Sequence, residues 1–143
     1  MVVQNKEIEK ACCFYVSDFH LEMILVPYIN EKIDENIIIL TQKNLRETLE
    51  ILISKMNIKE ENKQKILQLK WEGDEPKENS NIIIIGSKNY ILEKNEEIKN
   101  INPVTVLDCY YFEEEKNNIQ NIIKNYSKTL NTLGKNNFWK FLV

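Results

Sequence analysis

Short runs of apolar residues, each bounded by polar residues, recur along the chain and predict β-strands. The runs cover residues 12–16, 36–40, 82–85 and 104–109, and the third is four consecutive isoleucines. They are continuously apolar rather than alternating, which predicts strands buried on both faces. Such strands are typical of parallel sheets covered by helices on both sides.

Segments with apolar residues at helical spacing lie between the runs and predict the helices. They cover residues 19–35, 44–56, 59–70, 90–100 and 113–130. Ser17 or Asp18 is predicted to cap the first helix, because short oxygen-bearing side chains accept bonds from the free N–H groups of a helix start. Pro27 lies inside that helix and predicts a kink or a break, since proline has no N–H to donate.

The alternation of strands and helices predicts a single α/β domain over residues 1–143. We expect a three-layer, Rossmann-like or flavodoxin-like domain, with a parallel sheet of roughly four strands in the order 2-1-3-4 and helices on both faces. Residues 1–10 are polar and are predicted to be frayed. Residues 72–81 are polar, contain a glycine and a proline, and are predicted to form a flexible loop.

The charge of the chain argues against some classes of binding partner. The net charge is −3 and Arg46 is the single arginine, so neither a nucleic acid nor a membrane surface is predicted as a partner held by charge. No apolar run is long enough to span a bilayer and no signal peptide is recognisable, which predicts a cytoplasmic protein. The excess of Ile, Asn and Lys over Ala, Arg and Gly indicates an AT-rich genome.

The sequence predicts neither a metal site nor a cofactor. Two of its three cysteines, Cys12 and Cys13, are adjacent in a strand and therefore point to opposite faces of the sheet. No Cys-x-x-Cys motif occurs, and His20 is the only histidine, so a zinc set cannot be assembled from the usual ligands. The turn after the first strand has no glycine, which argues against a dinucleotide or phosphate-loop site.

Four chemically capable residues are predicted to lie at the carboxyl ends of the strands, where open parallel sheets bind ligands. Asp18 and His20 follow the first strand, and Asp108 and Cys109 close the fourth. If the strand order brings these ends together, they could form the site of a small hydrolase or transferase. A buried structural role accounts for Cys109 equally simply, because free cysteines are among the most buried residues.

A weaker ligand site is predicted at the same edge. Gly86, Ser87 and Lys88 follow the third strand and could offer backbone N–H groups to a phosphate, with Ser17 nearby. A glycine directly after a strand is also what an ordinary turn requires. Both interpretations stay open at this point.

The segment Tyr15–Leu21, which reads YVSDFHL, resembles the first motif of the calcineurin-like metallophosphoesterases. The resemblance implies that Asp18 and His20 would bind a two-metal centre at the end of a strand. It covers about seven residues, and Gly73-Asp74 echoes a second motif from within a polar loop. That family draws further histidines from later motifs, and this chain has none. Helix capping by Asp18, with His20 in the first helical turn, is the simpler interpretation.

Four aromatic residues, one beside the polar loop and three at the end of the sequence, are candidates for a partner-binding surface. They are Trp71, Phe138, Trp139 and Phe141. The last three belong to an apolar tail that could instead cover the edge or a face of its own sheet. We therefore expect a small α/β binding or regulatory module that contacts another protein, or a second copy of itself as a homodimer, and that has no catalytic activity. The hydrolase or transferase is the alternative.

Overall fold

The computed structural model describes residues 8–131 and the backbone of residues 134–136. Its strands are β1 (Glu9–Tyr15), β2 (Ile37–Thr41), β3 (Asn81–Ile85), β4 (Thr105–Tyr111), β5 (Lys128–Asn131) and β6 (Gly134–Asn136). Its helices are α1 (Asp18–Glu31), α2 (Arg46–Lys55), α3 (Glu60–Leu67), α4 (Lys88–Ile98), α5 (Phe112–Glu115) and α6 (Ile119–Ile123).

The strands form one sheet in the order β2-β3-β4-β1-β5-β6. The five strands from β2 to β5 in this order are parallel, and β6 runs antiparallel to β5. The predicted α/β fold with a parallel sheet is confirmed, but the predicted order 2-1-3-4 is wrong. β1 lies between β4 and β5, because the crossover through α1 carries the chain past two strand positions before β2 begins. Uniformly apolar strands do not encode which neighbour they pair with.

Helices cover both faces of the sheet. One buried cluster joins the sheet to α1, α2 and α3, and a second joins the opposite face to α4 and α6. Alternate residues of each strand enter the two clusters, because successive side chains of a strand point to opposite faces. Cys12 lies in the α4–α6 cluster and Cys13 in the α1–α3 cluster, as the sequence predicts.

The predicted final helix over residues 113–130 is wrong. The chain forms the short helices α5 and α6 there and then enters β5. β5 pairs with the outer side of β1, with Ala11 opposite Lys128 and Cys12 opposite Thr129. Without β5, the main-chain groups on that side of β1 would lack partners, so the tertiary pairing overrides the local helical pattern.

Helix α1 continues through Pro27, so the predicted break does not occur. Ser17 caps the helix, because its Oγ accepts a hydrogen bond from the His20 N–H at 3.1 Å. The N–H that Pro27 lacks would have bonded to the carbonyl of Met23 one turn earlier. Pro27 is exposed on the outer side of the helix, where the free carbonyl can bond to water.

The polar loop over residues 72–81 follows the outer edge of the sheet. The backbone N–H of Asp74 donates to the carbonyl of Ile39 in β2 at 2.8 Å. β2 is the edge strand on this side, and edge strands are commonly covered to prevent pairing with other chains. The flexibility of this loop stays a prediction.

Candidate functional site

The structure separates the four residues that the sequence places at the carboxyl ends of the strands. β4 continues to Tyr111, so Asp108 and Cys109 lie within the strand, and both are fully buried. Asp18 lies in the first turn of α1 and is exposed. The expected shared edge is therefore wrong, because the predicted end of β4 was two residues too early and its last residues are part of the covered sheet.

Asp108 and Cys109 also point to opposite faces of the sheet. Cys109 faces α1–α3 beside Cys13, whereas Asp108 faces α4 and α6. Burial raises the pKa of the Cys109 thiol well above its ordinary value, with further contributions from the neighbouring Cys13. A thiol with a raised pKa stays protonated and is a poor nucleophile. This geometry does not fit the hydrolase or transferase interpretation.

Asp18 and His20 each have a local partner. Lys43 Nζ donates to Asp18 Oδ1 at 2.7 Å, and the Val16 N–H donates to His20 Nδ1 at 2.9 Å. Desolvation lowers the pKa of His20, which keeps the ring neutral and able to accept that bond. In the described part of the chain, no three His, Cys, Asp or Glu side chains are grouped to hold a metal. The metal centre implied by the resemblance is therefore not assembled by these residues.

The predicted phosphate site at Gly86 and Ser87 is already occupied by a side chain. Gln42 Oε1 accepts the Ser87 N–H at 2.8 Å, and a Cβ on Gly86 would lie 2.5 Å from the same oxygen. Ser87 caps α4 with its Oγ. A cavity of about 230 Å³ opens beside these residues, below Lys43. Ligand pockets in proteins generally occupy about 300–1,000 Å³, so this edge offers less room than a typical ligand needs.

A larger cavity of about 630 Å³ opens between α4 and α6. Lys88 and Asn95 line it from α4, Lys10 lines it from β1, and Tyr110 and Tyr126 lie at its base. We refer to this space as the α4–α6 cavity. Its volume lies within the usual range for small-molecule sites.

Asp108 lies directly behind the α4–α6 cavity in a hydrogen-bond network. Asn95 Nδ2 donates to both carboxylate oxygens at 3.1 Å, and the Tyr126 hydroxyl donates to Oδ2 at 2.5 Å. The hydroxyls of Tyr126 and Tyr110 share a further bond of 2.5 Å, and Tyr110 is its donor while Asp108 is ionised and accepts the proton of Tyr126. Burial raises the pKa of Asp108, while its hydrogen-bond donors and Lys10 act in the opposite direction.

A second feature is an apolar strip on the outward side of α1. It consists of Phe19, Met23 and Pro27 on the helix together with Val16, which comes just before the cap of α1, and we call it the α1 strip. Val16 and Phe19 are each 58% exposed and Met23 is 38% exposed. Phe19, Met23 and Pro27 are spaced four residues apart and therefore lie along one side of the helix.

Trp71 is the one aromatic partner-binding candidate that lies within the described residues. Trp71 is fully buried, and its Nε1 donates to the Ile66 carbonyl at 2.8 Å, so its predicted role in partner binding is wrong. The apolar side chain is needed in the core between α1 and α3. Phe138, Trp139 and Phe141 lie outside the described residues.

Sequence reasoning missed both the α4–α6 cavity and the α1 strip. A carboxylate inside the otherwise apolar strand of residues 104–109 was the available signal for the cavity, because a buried charge needs donors close by. The polar partners of Asp108 come from distant segments that the sequence does not connect. The strip could have been found from the spacing of Phe19 and Met23 on the side opposite Leu21 and Leu25.

Comparison with protein-family models, with curated proteins and with solved structures gave no match to this chain. None of the helices in the described residues is long and apolar enough to cross a membrane.

Proposed function

We propose that the protein is a small cytosolic binding module that contacts another protein through the α1 strip and catalyses no reaction. The observation that carries the proposal is the exposure of Phe19 and Met23 on one side of α1, with the exposed Val16 just before the helix begins. Single exposed apolar residues are ordinary, but contiguous ones commonly mark interaction surfaces.

The α1 strip is not required by the core of its own domain. The opposite side of α1 already buries Leu21, Ile24, Leu25 and Ile29 against the sheet. Burial of a Phe or Met side chain contributes about 1.5–3 kcal/mol. That gain is not realised for the strip in the isolated chain, and a partner with an apolar helix or segment would realise it.

Ile51 is an exposed apolar residue that lies on a helix without exposed apolar neighbours. Ile51 on α2 is 59% exposed, a fraction similar to that of Phe19. Its neighbours one helical turn before and after, Glu47 and Ser54, are polar and exposed. This difference makes Ile51 a matched control for Phe19, since both are large apolar side chains on the outer side of a helix.

The experiment compares three proteins purified gently from the native host: the wild type, Phe19→Asp and Ile51→Asp. Native mass spectrometry measures the chains that remain bound to each. We expect the wild type and Ile51→Asp to carry a second chain in fixed stoichiometry, and Phe19→Asp to lose it with a decrease in affinity of at least about tenfold.

A second chain identical to the first would identify the partner as another copy of the protein. A wild-type protein that is monomeric without a bound chain would contradict the proposal. So would a partner that binds Phe19→Asp as tightly as it binds the wild type. Circular dichroism of both variants controls for folding, and both substitutions replace exposed side chains.

A further inference from the structure

The α4–α6 cavity has a positively charged lining. Of the described residues that line it, Lys10 and Lys88 are charged and none is acidic. Neither lysine forms an ion pair with any residue in the described ranges. Lys10 Nζ instead lies 5.4 Å from the centre of the Tyr126 ring. Two amines facing one partly open space that has no acidic residue in its lining favour a negatively charged occupant.

The two lysines lie at opposite ends of the cavity. Lys10 is near the start of β1, and Lys88 begins α4 directly after the carboxyl end of β3. The strands are parallel, so the start of β1 and the end of β3 are at opposite edges of the sheet. An occupant between them could present an acidic group to either end.

The remaining lining combines hydrogen-bonding groups with apolar surface. Asn121 and Asn125 contribute side-chain amides, which can both donate and accept, whereas the amide nitrogen of Asn95 is already bonded to Asp108. Leu92 and Ile122 contribute apolar side chains to the same space. Concave spaces that combine a few polar groups with apolar walls are typical of sites for small organic molecules.

Asp108 fixes the positions of lining residues without entering the cavity. Its carboxylate is fully buried and is held by Asn95 and Tyr126, both of which line the space. A buried carboxylate is costly, and an apolar residue would complete this face of the sheet more simply. The hydrogen bonds to Asp108 hold Asn95 and Tyr126 in fixed orientations, which would be useful if these two side chains contact a ligand.

We propose that the α4–α6 cavity binds a small organic anion. Its carboxylate or phosphate group pairs with Lys10 or Lys88, and its body lies against Tyr126, Leu92 and Ile122. The site is independent of the α1 strip, because α1 covers the other face of the sheet. It therefore adds a small-molecule site to a protein-binding module.

The test is an NMR titration of backbone amides with three probes. Phenyl phosphate and benzoate are aromatic anions, and phenol is their neutral counterpart. We expect the two anions to shift the amides of Asn95, Tyr110 and Tyr126, with phenol producing at least about tenfold weaker binding.

Three variants locate the charge that holds the anion. Lys10→Gln and Lys88→Gln each remove one amine from the cavity, and Lys55→Gln removes an exposed amine from α2. We expect at least one of the cavity variants to weaken phenyl phosphate binding about tenfold or more, and Lys55→Gln to leave it unchanged.

Three results would overturn the proposal. The first is that neither anion shifts the cavity amides at concentrations up to about 10 mM, a weaker affinity than a specific site should show. The second is that phenol binds as tightly as phenyl phosphate. The third is that both cavity variants keep the full affinity, or that Lys55→Gln loses as much as they do. None of these results depends on Phe19 or on a protein partner.

Discussion

Asp108 is the residue whose environment departs most from that of its neighbours. It occupies the middle of β4, where the residues on both sides are apolar, and it is fully buried. Asn95 and Tyr126 satisfy its oxygens, so the cost of burial is offset by hydrogen bonds rather than by an ion pair within 4 Å. The raised pKa shows that desolvation outweighs those bonds.

This imbalance predicts a pH dependence of stability. In the unfolded chain Asp108 titrates near its ordinary value of 3.8, whereas in the folded protein it holds its proton to higher pH. The contribution of Asp108 to stability is therefore complete below that value and is lost as the pH rises through the raised pKa. Asparagine does not titrate, so Asp108→Asn removes this loss of stability. The free energy of unfolding of the variant should therefore fall less than that of the wild type between about pH 4 and pH 8.

Urea unfolding across that range measures the difference in slope between wild type and variant. Glu22 is also buried and also has a raised pKa, but it is present in both proteins and its contribution cancels. Asp34→Asn is the matched control, because the Asp34 side chain is 86% exposed beside Lys65. Parallel curves for wild type and Asp108→Asn would show that the carboxyl does not titrate differently in the folded state.

At the scale of elements, α1 carries both the core contacts of one layer and the proposed binding surface. Its buried side contains Leu21 and Leu25, and its outer side contains Phe19 and Met23. Pro27 interrupts the hydrogen bonds of that outer side without ending the helix. The packing of α1 against the sheet is therefore strong enough to keep a proline within the helix.

Replacing Pro27 by alanine should stabilise the protein. Alanine restores the N–H that can bond to Met23 and removes the clash of the proline ring, so we expect the free energy of unfolding to rise by about 1–3 kcal/mol. Chemical denaturation measures the change. Pro76→Ala in the polar loop should give no gain or a small loss, because no helical hydrogen bond is restored there. A destabilised Pro27→Ala would indicate that the proline ring makes a packing contact that alanine cannot replace.

At the scale of the whole molecule, the order of the strands decides which side chains meet. β1 lies beside β4, with Cys12 opposite Asp108 and Phe14 opposite Tyr110. The same pairing places Lys10 on the side of the sheet that faces α4 and α6, next to Tyr126. In the order 2-1-3-4, β3 would separate β1 from β4, so Lys10 would not lie on the strand next to Asp108 and Tyr110.

Backbone NOEs can test this order directly. We expect contacts between Cys13 and Cys109 and between Ile39 and Ile83, since these residues are paired in neighbouring parallel strands. Strands in a sheet are separated by about 4.8 Å, which is close enough for backbone NOEs between neighbours. Contacts between Cys13 and Ile83 would instead place β1 beside β3 and would contradict the structure.

Local signals were sufficient for the elements whose burial is uniform. The continuous apolar runs identified β1 to β4 to within a few residues. The sequence placed the cap of α1 at Ser17 or Asp18, and the structure assigns it to Ser17. β5 was not predicted, because Lys128–Asn131 has no strand signal of its own. This segment becomes a strand by pairing with β1. A strand that depends on its neighbour cannot be recognised from its own residues.

Hydrophobic periodicity was enough to predict the class of fold, because continuously apolar strands must be buried on both faces and a parallel sheet is buried by helices on both sides. The sequence also indicated that Cys12 and Cys13 face opposite sides. The contact of Asp108 with Asn95 and Tyr126, rather than with His20, was visible only in the folded arrangement of the chain. That outcome depends on strand order and on where β4 ends, which are set by packing between segments far apart in the chain.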